Sequence, residues 1–443
     1  MKRKGNRKLN RLEVITPEGT KETSLDLTNL LIKIDNKYRG LLKAVANENM
    51  LINAFQRIIK KNGYYFKFNE DENFLKFNRK FFIELSKEIG SGSYRPQLTK
   101  KINYTDRNFF KNLITVDDIV QEAMNFVLSY IYNLNFLENS YNVFTVMNQY
   151  KKQFGSVSWI IKIEIKNCFN KKNYIKLSEI LCEKISDRGF IDLYWKMVKV
   201  GYVFKSIDYK NENDMVKSSI NNSILFNIYL SKLDEYMEKI KSNFFDEGFK
   251  HFYYIRYAND FIVGLDCNKL TATNVLKSII TYISNILKID LIDSYINNFK
   301  HQRTNFLGYI LKGSYSKKKF KKHSYSVILL PKQKILNKLI EKGFIKKNLK
   351  PTSLKRLIHY SIKRIIEYYN SIYINISTYY RICTFCNSLK NIYYILKTSC
   401  ALTIALKMKL KTIKKVYKIY SKNLIIYENN LKLSFIKWDW WKK

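Results

Sequence analysis

Apolar residues recur at spacings of three and four between residues 27 and 62 (Leu30, Leu31, Ile34, Leu41, Leu42, Leu51, Ile52, Phe55 and Ile58), which predicts helix through that stretch. The same periodicity predicts helices over 117–132, over 173–185 with a stop at Gly189, and over 223–240. Residues 157–165 are instead a β-branched run that alternates at its end. Residues 252–265 read as strand, turn and strand around Ala258-Asn-Asp260. From Pro351-Thr-Ser353 a further helix is expected, its apolar stripe made by Leu354, Leu357, Ile358, Ile362, Ile365, Ile366, Tyr369 and Ile372. The segment to Leu424 continues in that style. The fold class is α+β, closing with an all-helical part.

Composition narrows the partner. Among 443 residues there are only 14 Gly and 4 Pro, which excludes collagen-like and linker-like chains, and 46% are hydrophobic, enough for real cores. The length exceeds the roughly 250–300 residues at which one core stops growing, so two or more packed units are expected. Lys plus Arg is 79 against 37 Asp plus Glu, a net charge of +42 that points to a polyanion. The excess is concentrated: residues 301–443 hold 32 basic and 4 acidic residues, a net +28. Nucleic acid is the expected partner, with no membrane and no small-molecule substrate. No run of about 18 apolar residues occurs, the best stretch near 392–410 being broken by Lys397, Lys407 and Lys409. Six cysteines without an apolar leader suggest a reducing compartment, and no targeting peptide is expected. Cys383-Thr-Phe-Cys386 has zinc-like spacing but no second pair, so no metal site of the protein's own is expected.

Two acid-bearing strands about 95 residues apart, each ending at a turn, suit a two-metal nucleotidyl-transfer site. Taken singly, Asn259-Asp260 is an ordinary hairpin turn and Glu164 an ordinary exposed strand residue. Their company matters more. Lys162-Ile-Glu-Ile-Lys-Asn-Cys-Phe-Asn170, Gly201-Tyr-Val203, Asn227-Ile-Tyr-Leu-Ser-Lys-Leu-Asp234, Ile255-Arg-Tyr-Ala-Asn-Asp-Phe-Ile-Val263 and Asn305-Phe-Leu-Gly-Tyr309 follow the order and spacing of group II intron reverse transcriptases, which the chain resembles. Upstream, Gly90-Ser-Gly-Ser-Tyr-Arg-Pro96, Asp118-Ile-Val-Gln-Glu-Ala123 and Asn139-Ser-Tyr141 look like that family's fingers. Downstream, Leu354-Lys-Arg-Leu-Ile-His-Tyr360, Tyr368-Tyr-Asn-Ser-Ile372, Tyr379-Tyr-Arg381 and Ser399-Cys-Ala-Leu-Thr-Ile-Ala-Leu-Lys407 resemble its maturase domain, domain X.

The resemblance implies a right-hand reverse-transcriptase-like fold. Its parts would be an N-terminal extension and start of the fingers over 1–90, fingers and palm over 91–310, a basic connector over 311–350, a helical thumb and domain X over 351–430, and a tail over 431–443. It aligns Glu164, Asn259 and Asp260 with the family's metal-binding carboxylates. Where the family has Asp, residue 164 moves the charge by one methylene, about 1.5 Å, and Asn259 removes a charge. Mg²⁺ tolerates little departure from octahedral distances. The family's Pro-Gln-Gly-Gly falls on Val216-Lys-Ser-Ser219, and its Gly-Phe-Arg-Pro on Asn142-Val-Phe-Thr145. Polymerase activity is therefore expected to be lost, and no nuclease module is expected.

What remains is RNA binding through cations and aromatic faces. The candidate phosphate contacts are Lys317, Lys318, Lys319, Lys321, Lys322, Arg356, Lys363, Arg364, Arg381, Lys407, Lys409, Lys414 and Lys415. Tyr368, Tyr369, Tyr379 and Tyr380 read as core before stacking platforms. The expected function is that of a group II intron maturase, which holds intron RNA in its active fold while the RNA uses its own Mg²⁺. The protein itself is expected to need no cofactor. An active RNA-directed DNA polymerase and a non-specific nucleic-acid-coating protein are the alternatives. A/T-biased residue usage suggests an organelle, with plastid favoured over mitochondrion; oligomeric state stays open.

Overall fold

The computed structural model describes residues 30–62, 77–97, 114–132, 143–166, 171–199, 222–318, 321–385, 387–428 and 431–440. Two compact units result: one from 1–137 and 169–231, the other from 138–168 and 232–443. Among the described residues no helix is long and apolar enough to cross a membrane.

The first unit opens on a hairpin, β1 (Ile32–Ile34) against β2 (Lys37–Arg39). This corrects the helix expected over 27–62. Asp35 and Asn36 sit in the left-handed region (φ 48° and 61°), the two-residue turn that Asp and Asn accept. Helix begins only at α1 (Leu41–Val45) and α2 (Glu48–Asn62), followed by α3 (Arg79–Gly90) and α4 (Val116–Ile131). The last starts on a capping box in which Thr115 and Asp118 bond each other's backbone N–H. It is buried on nearly all sides, and its buried acids are paired: Glu122 with Arg57 at 3.3 Å and with the Asn125 amide, Asp117 with the N–H of Gln97 and the hydroxyl of Tyr94.

α5 (Val143–Gln153) and β3 (Trp159–Ile165) belong to the second unit. The chain returns to the first with α6 (Lys171–Lys184) and α7 (Arg188–Lys199). Gly189 does not stop α6 as expected; it lies in the first turn of α7. Asp187 ends the link instead, its carboxylate accepting the N–H groups of Phe190 and Leu42. A Cβ on Gly189 would stand 2.7 Å from Leu42 Cδ2, so a larger residue there would have to push that side chain aside. α8 (Asn222–Asp246) then passes from the first unit to the second.

The second unit is built on a four-stranded antiparallel sheet, order β4-β5-β3-β6, from β4 (Phe252–Tyr257), β5 (Asp260–Leu265), β3 and β6 (Leu291–Asn298). α9 (Lys269–Thr281) packs against β3 and β6. A second sheet joins β7 (Thr304–Phe306), β8 (Tyr309–Lys318) and β9 (Lys321–Leu329), and α10 (Lys332–Glu341) follows. The stretch expected as a basic connector is thus a hairpin and a helix. Lysines end the paired part of its strands, with Lys317 opposite Lys322 and Lys318 opposite Lys321.

The expected helix from Pro351 starts eleven residues later, at Ile362. α11 (Ile362–Tyr380) is capped by Ser361, whose hydroxyl accepts the Arg364 N–H, while 352–354 is held on the next helix by side-chain bonds. α12 (Asn387–Lys407) and α13 (Ile413–Tyr420) complete the helical part. Ile365, Ile366, Tyr369 and Tyr373 of α11 lie in one core with Leu389, Ile392, Leu396, Cys400 and Ile404 of α12. Inside it the Tyr369 hydroxyl bonds those of Ser399 and Thr403, both at 2.9 Å. Thr403 accepts the Leu354 N–H and Ser399 donates to the Thr352 carbonyl.

Candidate functional site

Pairing of β3 with its two neighbours sets the site. Glu164, next to the end of β3, is the direct cross-strand partner of Asp260 on β5 and of Asp293 on β6. Cross-strand partners share a face, so three carboxylates stand in a row across three strands. One pair deeper on that face, Lys162 lies between Ile262 and Tyr295. Sequence reasoning aligned Glu164 and Asp260 but missed Asp293. Its strand, Leu291-Ile-Asp-Ser-Tyr-Ile-Asn-Asn298, mixes apolar and polar residues on both faces, so it carries only part of the alternation that announces a strand.

Lys162 was also missed, and it decides the electrostatics. Its side chain is 4% exposed, and its ammonium is in direct contact with Asp260 Oδ1 and 3.7 Å from Glu164 Oε2. Glu164, 39% exposed, faces solvent. Burial pushes the Asp260 carboxyl above its ordinary value. The contact with Lys162 and the Leu307 N–H, 3.4 Å from Oδ2, pull the other way. The Tyr295 phenol is raised as well, first by burial and then by Asp293, Asp260 and Glu164, against the Asn305 N–H that lowers it.

Asn259 takes a backbone role. In the turn that joins β4 to β5, Ala258 adopts φ 53°. The Asn259 carbonyl accepts the Ile165 N–H at 2.8 Å and its side-chain amide donates to the Ile165 carbonyl, also at 2.8 Å. A carboxylate there could not donate to that carbonyl. Beneath the turn, Arg256 is buried and grips Asp234 through Nε (2.8 Å) and a terminal nitrogen (2.6 Å), and it donates to the Ala258 carbonyl at 3.1 Å. Tyr254 adds a hydroxyl bond to Asp234.

The divalent metal that the resemblance implies does not fit these residues. Mg²⁺ wants oxygen ligands in near-octahedral array. Here a lysine ammonium occupies the acid pair and the Asn259 amide presents N–H to the backbone. Among the described residues no group of three His, Cys, Asp or Glu is arranged to hold a metal ion. Cys383 is buried, and Cys386 lies outside the described residues.

The end of α11 reaches the turn beside Asp260. Tyr379 donates to the Leu307 carbonyl at 2.8 Å, Tyr380 to the Gly308 carbonyl at 3.4 Å, and the Tyr309 hydroxyl bonds the Tyr379 carbonyl. Leu307 and Gly308 are both left-handed (φ 47° and 73°), a conformation costly for leucine, so this turn is held in place by its surroundings.

Residues 323–435 match the family model of the type II intron maturase. Over 97% of the chain, 28% of residues are identical to a COX1/OXI3 intron 2 protein of Saccharomyces cerevisiae, and over 89%, 25% are identical to the COX1/OXI3 intron 1 protein of the same yeast. The group II intron-encoded protein LtrA of Lactococcus lactis is 24% identical over 85% of the chain. Residues 323–435 are thus similar to a type II intron maturase domain. The matches span 59%, 56% and 76% of those relatives' own lengths.

Within the maturase domain the candidate cations divide. Arg364, Lys409, Lys414 and Lys415 are exposed, the last two on α13 beside the buried Val416. Arg356 is exposed and bonds the Tyr368 hydroxyl, Arg364 lies 5.2 Å over the Tyr360 ring, and Arg381 lies 4.7 Å over that of Phe144. Lys363 is half-buried, and Lys407 is half-buried with its ammonium on the Ile358 carbonyl at 2.9 Å. Lys317, Lys318, Lys321 and Lys322 are cross-strand partners in register on β8 and β9. Lys319, Asn139-Ser-Tyr141, Gly201-Tyr-Val203 and Val216-Lys-Ser-Ser219 lie outside the described residues. Tyr369 is core, whereas Tyr379 and Tyr380 act as a clamp.

Proposed function

We propose that this chain binds structured group II intron RNA and assists its splicing by favouring the active ribozyme fold over its alternatives. The observation that carries the reading is the maturase domain over 323–435, in a region whose cations outnumber its acids many times over and several of which face solvent. Phosphate contacts supply affinity through counterion release, and a folded RNA offers more simultaneous contacts than an open strand. The RNA performs the transesterification with its own Mg²⁺; the protein contributes binding energy and no cofactor of its own.

In this reading the four-stranded sheet is a palm in a right-hand, reverse-transcriptase-like arrangement, and α11–α13 form the thumb and domain X. Its polymerase chemistry is absent, supported by Lys162 in the acid pair and by the amide at 259. The compartment proposed is an organelle with its own genome. Between the two organelles, the plastid favoured by composition has a maturase K of Chaetosphaeridium globosum on its side, and the mitochondrion has the stronger matches, the yeast COX1/OXI3 intron proteins.

Competition binding tests the reading. Labelled intron RNA is challenged with unstructured RNA of equal length while salt is raised. A maturase keeps its preference for the intron as both affinities fall; a charge-only coating protein loses both together, and that result would overturn the proposal.

A further inference from the structure

We propose that Lys162 is the resident cation of the carboxylate row: a tethered ammonium that stands in the place of a divalent metal and keeps one out. The inference deepens the proposed loss of polymerase chemistry and rests on that reading only for its biological meaning. Its physical basis is independent of RNA. Three carboxylates, Asp260, Glu164 and Asp293, stand side by side on one sheet face. Lys162, two residues before Glu164 on β3, shares that face. Its ammonium touches Asp260 and lies near Glu164, while its stem is almost fully buried.

Such a lysine cannot step aside. Its backbone is paired on both sides, to Ile262 and to Tyr295, and withdrawing the ammonium from the two carboxylates would leave a buried charge without compensation. A divalent ion entering the pair would meet a fixed positive charge at contact distance and find Asp260 already engaged. The substitutions at 164 and 259 alter ligands; Lys162 fills the space between those that remain. Removing the ammonium alone should open a site, with Glu164 and Asp260 as anchors and Asp293 alongside.

Manganese binding to the full chain, followed by the loss of the free Mn²⁺ electron paramagnetic resonance signal, tests this. Lys162→Met should gain one bound Mn²⁺ per chain, at least about tenfold tighter than anything in the parent, and adding Glu164→Gln should abolish it. A parent that binds Mn²⁺ as tightly, or a folded Lys162→Met that gains nothing, would overturn the proposal. Should Lys162→Met fail to fold, amine acylation of the parent decides: Lys162 should react at least about tenfold more slowly than Lys166, which is 56% exposed. Equal rates would place the ammonium in solvent and end the idea. Primer extension, run separately, reports on the polymerase reading: DNA synthesis by the parent would sink that reading whatever the metal titration gives.

Discussion

The hydroxyl of Tyr379, at the end of α11, donates to the carbonyl of Leu307, and the N–H of Leu307 points at Asp260. One strained turn therefore connects the maturase domain to the carboxylate row. Leu307 in the left-handed region is held there by contacts from both sides, and loss of either should loosen it.

Tyr379→Phe removes one hydrogen bond from that turn. A loss of about 1 kcal/mol is expected, seen as a small drop in the midpoint of chemical denaturation. Adding Tyr380→Phe should lower it further, since the two hydroxyls grip neighbouring carbonyls. A double variant as stable as the parent would show that the clamp contributes nothing.

Lys162→Met should destabilise by about 3–5 kcal/mol near neutrality, because it leaves Asp260 buried without its partner. Burial already raises the Asp260 carboxyl, and loss of the lysine raises it more. A carboxyl that holds its proton more tightly when folded contributes stability below its unfolded value, about 4. That stability is lost as pH climbs through the folded value. The variant's deficit should thus be smallest near pH 4 and grow toward pH 7. Denaturation across that range would count against the ion pair if the deficit were flat.

Much of this site was readable from the residues. The β-branched run before Glu164 and the Ala258-Asn259 turn announced two strands that meet at their acidic ends, and they do. The first hairpin was hidden because Ile34 falls into step with the helical spacing of Leu30 and Leu31, so two three-residue strands vanish into a longer pattern. The β8 and β9 strands were hidden by charge: a lysine run reads as a solvated linker, yet lysine is also a residue that strand ends and edges accept in water. Lys162 escaped because a lysine amid isoleucines reads as an outward strand residue. Only the cross-strand register, which no local pattern contains, reveals two carboxylates waiting on its own face.

Lys414→Glu with Lys415→Glu should weaken intron binding by about tenfold at moderate salt and flatten its salt dependence. Both side chains are exposed and α13 keeps Val416 in the core, so thermal stability should stay that of the parent. Unchanged affinity would remove this helix from the RNA-binding face.

The most direct test of the central claim is the rate of intron excision from a group II precursor RNA in low Mg²⁺, with the purified full chain and no deoxynucleotides. The account predicts that the protein accelerates excision and that the Lys414→Glu, Lys415→Glu variant accelerates it less. No acceleration beyond that given by an unrelated protein of equal charge would contradict it.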